Sequence, residues 1–241
     1  MTAAGPRTAQ LTGVAYLGIV VCGLFAELFV RGSLVVPGDA AATAELIAGA
    51  PSFFALGIGA DALMIALDVA VAFGLYRLLR DVDRRLAIAA TVLRLIQATI
   101  LAANLLHMGS ALELARRAHT DPLLAERALR AMESHALVYD IGLIAFGLAC
   151  LTLGPLLRRA VAPRALAYGL TLTGLVYLVG SFVALFAPAA SPAIEPLYAI
   201  AIIVEPAFAL WLIVRSRREP TSGGSAGFEG VLARGSGTLS P

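Results

Sequence analysis

Six runs of apolar residues, separated by short polar connections, account for most of the chain: residues 11–30, 53–79, 86–109, 135–157, 165–186 and 197–214. About 18 or more apolar residues in a row predict a helix that crosses a bilayer, because about 20 residues rising about 1.5 Å each cover a hydrocarbon core of about 30 Å. The predicted fold class is therefore all-α, a polytopic bundle of six transmembrane helices over residues 11–214. No stretch is left over for a sizeable soluble domain. The first run exceeds a signal-peptide core of about 7–15 residues, it contains Glu27, and five more runs follow. It reads as a true first span.

The polar residues between the runs shape the connections. Residues 1–10 form a short lead whose one charge is Arg7. Pro37-Gly38 is a turn signal, and Asp39 is a good N-cap for a short helix through Ala48. A tight charged loop with Arg80, Asp81, Asp83, Arg84 and Arg85 joins spans two and three. Span three is expected to continue past the bilayer through Glu113 and Arg117. Asp121-Pro122 then reads as an N-cap and first helical position, and an amphipathic stretch, 123–134, leads into span four. Spans three and four are thus expected to protrude as a helical hairpin, with His119 solvated in its connection. Arg158, Arg159 and Arg164 bracket Pro163 before span five, and Pro188, Pro192 and Pro196 punctuate the entry to span six. Residues 215–241 are rich in Gly, Ser and Arg without apolar periodicity and read as a disordered cytoplasmic tail.

Composition agrees with the pattern: 59% of residues are hydrophobic, 14% are charged, and mean hydropathy is +0.86. Soluble domains carry about a quarter of their residues as charges. A net charge of +2 offers no basic surface for nucleic acid. All 18 basic residues are Arg, and their distribution orients the chain. With both ends inside, the cytoplasmic segments hold twelve Arg and the external ones five, the latter offset by seven acids. By the positive-inside rule the expected placement is N-in and C-in, in the cytoplasmic (inner) membrane of a bacterium with the lipid bilayer as its partner. Cys22 and Cys150 lie inside apolar runs and read as small buried hydrophobes, with no disulfide framework and no metal-ligand spacing. No cofactor is expected.

Candidate chemistry rests on the polar residues inside the spans, because burying an ionisable group in hydrocarbon costs several kcal/mol and such groups usually face protein or a wet cavity. Counted inward from the cytoplasmic helix ends at about 1.5 Å per residue, they fall at two depths. Asp68, Arg94 and Glu205, about 12–16 Å in, form a midplane set with Gln97. Glu27, Asp61, Asn104 and Asp140, about 24–27 Å in, form an outer set with His107, His135 and Tyr139. Asp61 and Asp68 share one side of span two, and Arg94, Gln97 and Asn104 make a stripe down span three. The simplest pairing is Asp68 with Arg94. One arginine cannot neutralise both Asp68 and Glu205, so one carboxyl there is expected to hold a proton, bind a cation or meet water.

Three readings follow. In one, the network is a proton or cation site linked to movement of a small solute, and Glu205-Pro206 supports it because proline frees a carbonyl one turn back. In the second, the same residues fix helix register in a non-catalytic structural or assembly component. In the third, the outer carboxylates and histidines serve an intramembrane metal-dependent hydrolase. Against that reading, no HExxH occurs, and His135 and Asp140 lie about 140° apart on one helix. The sequence carries no serine-nucleophile motif, phosphate loop or dinucleotide fingerprint.

Four stretches resemble a bacterial membrane family catalogued only as a domain of unknown function. They are GLFAELFVRGSLVVPGDAAATA at 23–44, DVAVAFGLYRLL at 68–79, LRLIQA at 93–98 with NLL at 104–106, and HALVYDIGL at 135–143. The motif residues of that resemblance fall on Glu27, Arg31, Pro37, Asp39, Asp68, Arg94, Gln97, Asn104, His135, Tyr139 and Asp140. It implies the multi-span fold and this residue set, and it attaches no activity to them.

Overall fold

The computed structural model describes residues 5–118, 121–160 and 162–218. His119, the first four residues of the lead and residues 219–241 of the expected tail lie outside the described residues. Among the described residues there are seven helices and no strand. They are α1 (Pro6–Leu34), α2 (Ala40–Gly49), α3 (Pro51–Leu79), α4 (Arg84–Arg117), α5 (Pro122–Arg159), α6 (Arg164–Phe186) and α7 (Ala199–Arg218). All but α2 are long and apolar enough to span a bilayer, so the chain is a multi-pass integral membrane protein.

The six spans form a closed ring. Each packs on its neighbour in chain order, and α7 returns to pack along α1. Six crossings leave both ends of the bundle's chain on one face. The local signals explain the boundaries. Asp39 caps α2 by accepting from the Ala42 amide at 2.9 Å. Asp83 caps α4 by accepting from the Arg85 and Leu86 amides, each at 3.1 Å, and also receives Arg159 of α5. These donors, the Leu86 amide foremost, hold its carboxyl below the usual range. Asp121 caps α5 from the Leu123 amide at 2.9 Å, with Pro122 at the first helical position.

At 34 and 38 residues, α4 and α5 are longer than a bilayer core requires. Their far halves pair as the hairpin read from the sequence, and α2 lies across them. Ala44 and Ile47 of α2 pack with Ala111, Ala115, Ala125, Ala128 and Met132 in one apolar cluster. A second cluster, at the opposite end, unites Tyr16, Leu75, Leu79, Leu153, Leu157, Phe208 and Leu212. The α5–α6 crossing is close enough that a Cβ on Gly174 would meet the Gly147 carbonyl oxygen at 2.6 Å.

Span one departs from its expected bounds. It begins at Pro6, and instead of stopping at Val30 it runs on through Leu34. Phe25–Arg31 is a π-helical segment, in which the Gly32 amide bonds the Glu27 carbonyl five residues back. The wider turn re-aims the side chains of one helical face. Arg31, which the pattern leaves in a loop, is thereby buried.

Candidate functional site: a two-level polar network

Along α3, α4 and α5 the polar residues fall between the two apolar clusters. On α3, Asp61 and Asp68 separate Phe54 from Val71; on α4, Arg94, Gln97 and Asn104 separate Ala90 from Met108; on α5, His135 and Tyr139 separate Met132 from Phe146. Each helix thus brings its polar turn to the middle of the bundle, where lipid is excluded.

The inner level is built by all six spans. Arg94 of α4, 1% exposed, donates from Nη2 to Asp68 Oδ1 of α3. Its guanidinium lies over the ring of Tyr16 from α1 at 5.2 Å and that of Phe146 from α5 at 4.9 Å. Aromatic faces carry partial negative charge, so they stabilise the cation where water does not reach. Glu205 of α7 lies close by with different partners. Tyr177 Oη of α6 donates to its Oε1 at 2.5 Å, and Tyr16 Oη faces its Oε2 at 3.4 Å. Among the described residues no cation stands within 4.0 Å of the Glu205 carboxyl. Gln97 is buried on the same stripe with its Oε1 unpartnered.

The outer level centres on Arg31. Its Nε donates to Glu27 Oε2 at 2.8 Å and its Nη1 to Asp61 Oδ2 at 2.5 Å, with Tyr139's ring 5.8 Å from the guanidinium. Nearby, Asn104 Nδ2 donates to the His135 carbonyl at 2.9 Å, tying α4 to α5. The His135 ring is buried with neither nitrogen hydrogen-bonded, and its ring lies 6.0 Å from that of Tyr139. His107 is half-buried beside it. Asp140 borders this group, with Glu27 as a charge neighbour, and also lies near Ser181 of α6 and Tyr198, the residue before α7. Among the described residues no three His, Cys, Asp or Glu side chains gather as a metal-ligand set.

A family model described as a domain of unknown function (DUF4386) matches residues 11–216. The chain belongs to this family. No curated protein and no solved structure matches it. The match covers all six spans, so both levels of the network lie within the DUF4386 region.

The structure brings Asp68 and Arg94 together as the spacing suggests, and sets Gln97 and Glu205 beside them without an ion pair to Glu205. Two participants in this DUF4386 chain, Tyr16 and Tyr177, escaped the sequence reading of the site, and Arg31 entered it only through the family resemblance. Arg31 carried a usable signal, since it stands four residues after Glu27, an ion-pair spacing on a helix. Tyr16 and Tyr177 sit in the middle of apolar runs rather than near the ends, where interfacial tyrosines belong. That position marks a hydroxyl needing an internal partner.

Proposed function

We propose that the chain is a proton-linked membrane component in which Glu205 is the group that takes up and releases the proton. The observation that carries this reading is the environment of that carboxyl. Asp68 is fixed to Arg94, and Asp61 to Arg31, so their charges are compensated in place. Glu205 instead meets two tyrosine hydroxyls, groups that either donate or accept. The ionised carboxylate finds donors there, and the protonated acid finds an acceptor. Both states are satisfied without rebuilding the site. Pro206 supplies no amide to the Ile202 carbonyl, which loosens α7 at the neighbouring turn.

Infrared difference spectra of the reconstituted chain between acid and alkaline pH test this. The expected result is a protonated-carboxyl band that Glu205→Gln removes and Asp140→Asn leaves. A spectrum unchanged by Glu205→Gln rejects the assignment. The structural reading draws on a separate observation. The seam beside Arg94, lined by Leu75, Leu79, Ala87, Ala90, Leu153 and Leu156, encloses no room for a water molecule. A bundle closed in this way holds its helices in register but admits no solute at that level. If no pH-dependent band or proton uptake into vesicles is found, this second reading replaces the first.

A further inference from the structure

We propose that the recess between the end of α5 and the start of α6 is a binding site for a phosphate group. It has a volume of about 350 Å³ and is lined by Pro155, Arg158, Arg159 and Arg164. Three arginines therefore line one small space, and arginine is the side chain best suited to hold phosphate oxygens through forked donors. Arg159 is held by Asp83 of the α3–α4 loop. Arg158 lies over the Tyr168 ring at 5.2 Å, which aims it without neutralising it. Among the described residues neither Arg158 nor Arg164 has a carboxylate within 4.0 Å. A net positive charge thus remains in the recess after its internal pairs are counted.

A second, independent feature points the same way. The residue before α6 is Pro163, and no side chain caps the helix. The Pro163 carbonyl takes the Leu166 and Ala167 amides at 3.0 and 3.2 Å. Among the described residues no oxygen caps the first-turn amides of Arg164 and Ala165, at the positive end of a 23-residue helix. Forked arginine donors and helix-start amides are the two commonest ways in which proteins hold phosphate oxygens.

The place of the recess suits a phospholipid headgroup. It lies at the ends of two spans, with Tyr168 and other large apolar side chains of α6, such as Leu172 and Leu175, exposed below it toward lipid. An acyl chain descends along that face while the phosphate stays among the arginines. The same donors hold a free phosphate ion, so the two sources are separated by experiment. None of these residues touches Glu205, and the inference is independent of the proton-linked reading.

The test uses the full chain in detergent, probed in one arm with phosphatidylglycerol against phosphatidylcholine by native mass spectrometry, and in the other with inorganic phosphate by calorimetry. The variant is Arg158→Gln with Arg164→Gln, which leaves the Arg159–Asp83 pair in place; Arg164→Gln alone serves if the double variant does not fold. The wild type is expected to retain phosphatidylglycerol, whose headgroup adds no cation, over phosphatidylcholine. The double variant is expected to bind about thirtyfold more weakly, from the attraction of two interfacial arginines. Phosphate binding with the same loss and no lipid preference assigns the site to a free ion. Wild type that binds neither probe, or variants that bind both as the wild type does, overturn the proposal.

Discussion

Replacing Arg94 with Gln removes the one cation of the inner level and leaves Asp68, 7% exposed at its side chain, without its partner. Breaking a buried ion pair from one side costs about 3–5 kcal/mol, because the remaining charge stays desolvated. The two ring contacts of the guanidinium add about 0.5–2 kcal/mol each where water is excluded. The membrane reference state lowers these figures, since an unfolded helix in lipid also finds polar partners. The expected net loss is about 4 kcal/mol for Arg94→Gln and about 2–3 kcal/mol for Asp68→Asn, which strands the cation but leaves it an amide oxygen. The double variant places two neutral amides side by side and is expected to lose only about 2–3 kcal/mol in all, a coupling of about 3–5 kcal/mol. Equilibrium unfolding by a denaturing detergent in mixed micelles measures all four corners of the cycle. Single variants that each cost under about 1 kcal/mol, or a double variant equal to their sum within about 0.5 kcal/mol, would refute the ion-pair account.

The remaining predictions test other links. Tyr177→Phe removes the shorter donor to Glu205 and is expected to cost about 1–3 kcal/mol of stability by the same unfolding assay, while Tyr16→Phe, acting on the 3.4 Å contact, costs less. Gly174→Ala forces the α5–α6 crossing apart, since the new methyl group meets the Gly147 carbonyl, and is expected to cost about 1–3 kcal/mol. A variant as stable as the wild type shows that the crossing yields without strain. Asp83, outside the spans, has its folded carboxyl held below the ordinary value of about 3.9. Its contribution is therefore present above about pH 4 and fades as pH falls through the lower folded value. Asp83→Asn is expected to flatten that acid limb of a melting-temperature profile, and an unchanged limb counts against the cap and the Arg159 contact.

Much of the architecture was legible because lipid imposes it. A helix that must satisfy its own backbone in hydrocarbon announces itself as a long apolar run, and Asp39 and Asp121 mark helix starts through the chemistry of their side chains. The Asp68–Arg94 pair was legible for a related reason, since depth and helical phase leave a buried cation few acids to choose from. What was hidden depends on local geometry that the apolar pattern does not encode. The π-helical segment Phe25–Arg31 changes which face of α1 turns inward, and no hydropathy rule reports a one-residue widening. Its consequence, Arg31 joined to both Glu27 and Asp61, turned two outer acids from candidate metal ligands into members of an ion-pair cluster. Glu205 was grouped with Asp68 and Arg94 but left without a named partner, because tyrosine hydroxyls are invisible to a count of charges.

With Arg31 included, the charge balance of the spans divides the bundle. Glu27 and Asp61 share Arg31, and Asp68 takes Arg94, so the acids of α1 and α3 are compensated by arginines of α1 and α4. The two acids left over, Asp140 and Glu205, both lie toward α6 and the approach to α7. That seam is also the one where α7 packs less extensively on α6 than on α1, and where Pro206 interrupts the hydrogen-bond ladder. The Arg31–Asp61 and Arg94–Asp68 pairs add rigidity where they stand, since each joins two helices through directional, charge-assisted donors. Carboxyls without a cation add no such constraint, and their energy depends on whether they carry a proton. The static half of the bundle and the half that responds to protons are therefore expected to differ in exchange behaviour. Backbone amides of α3 and α4 near Asp68 and Arg94 should exchange with solvent deuterium at a rate independent of pH after correction for the intrinsic rate, whereas those of α7 around Glu205 should open more at the pH that ionises it. Equal pH response in both halves would place Glu205 with the structural acids and leave the proton-linked reading without its support.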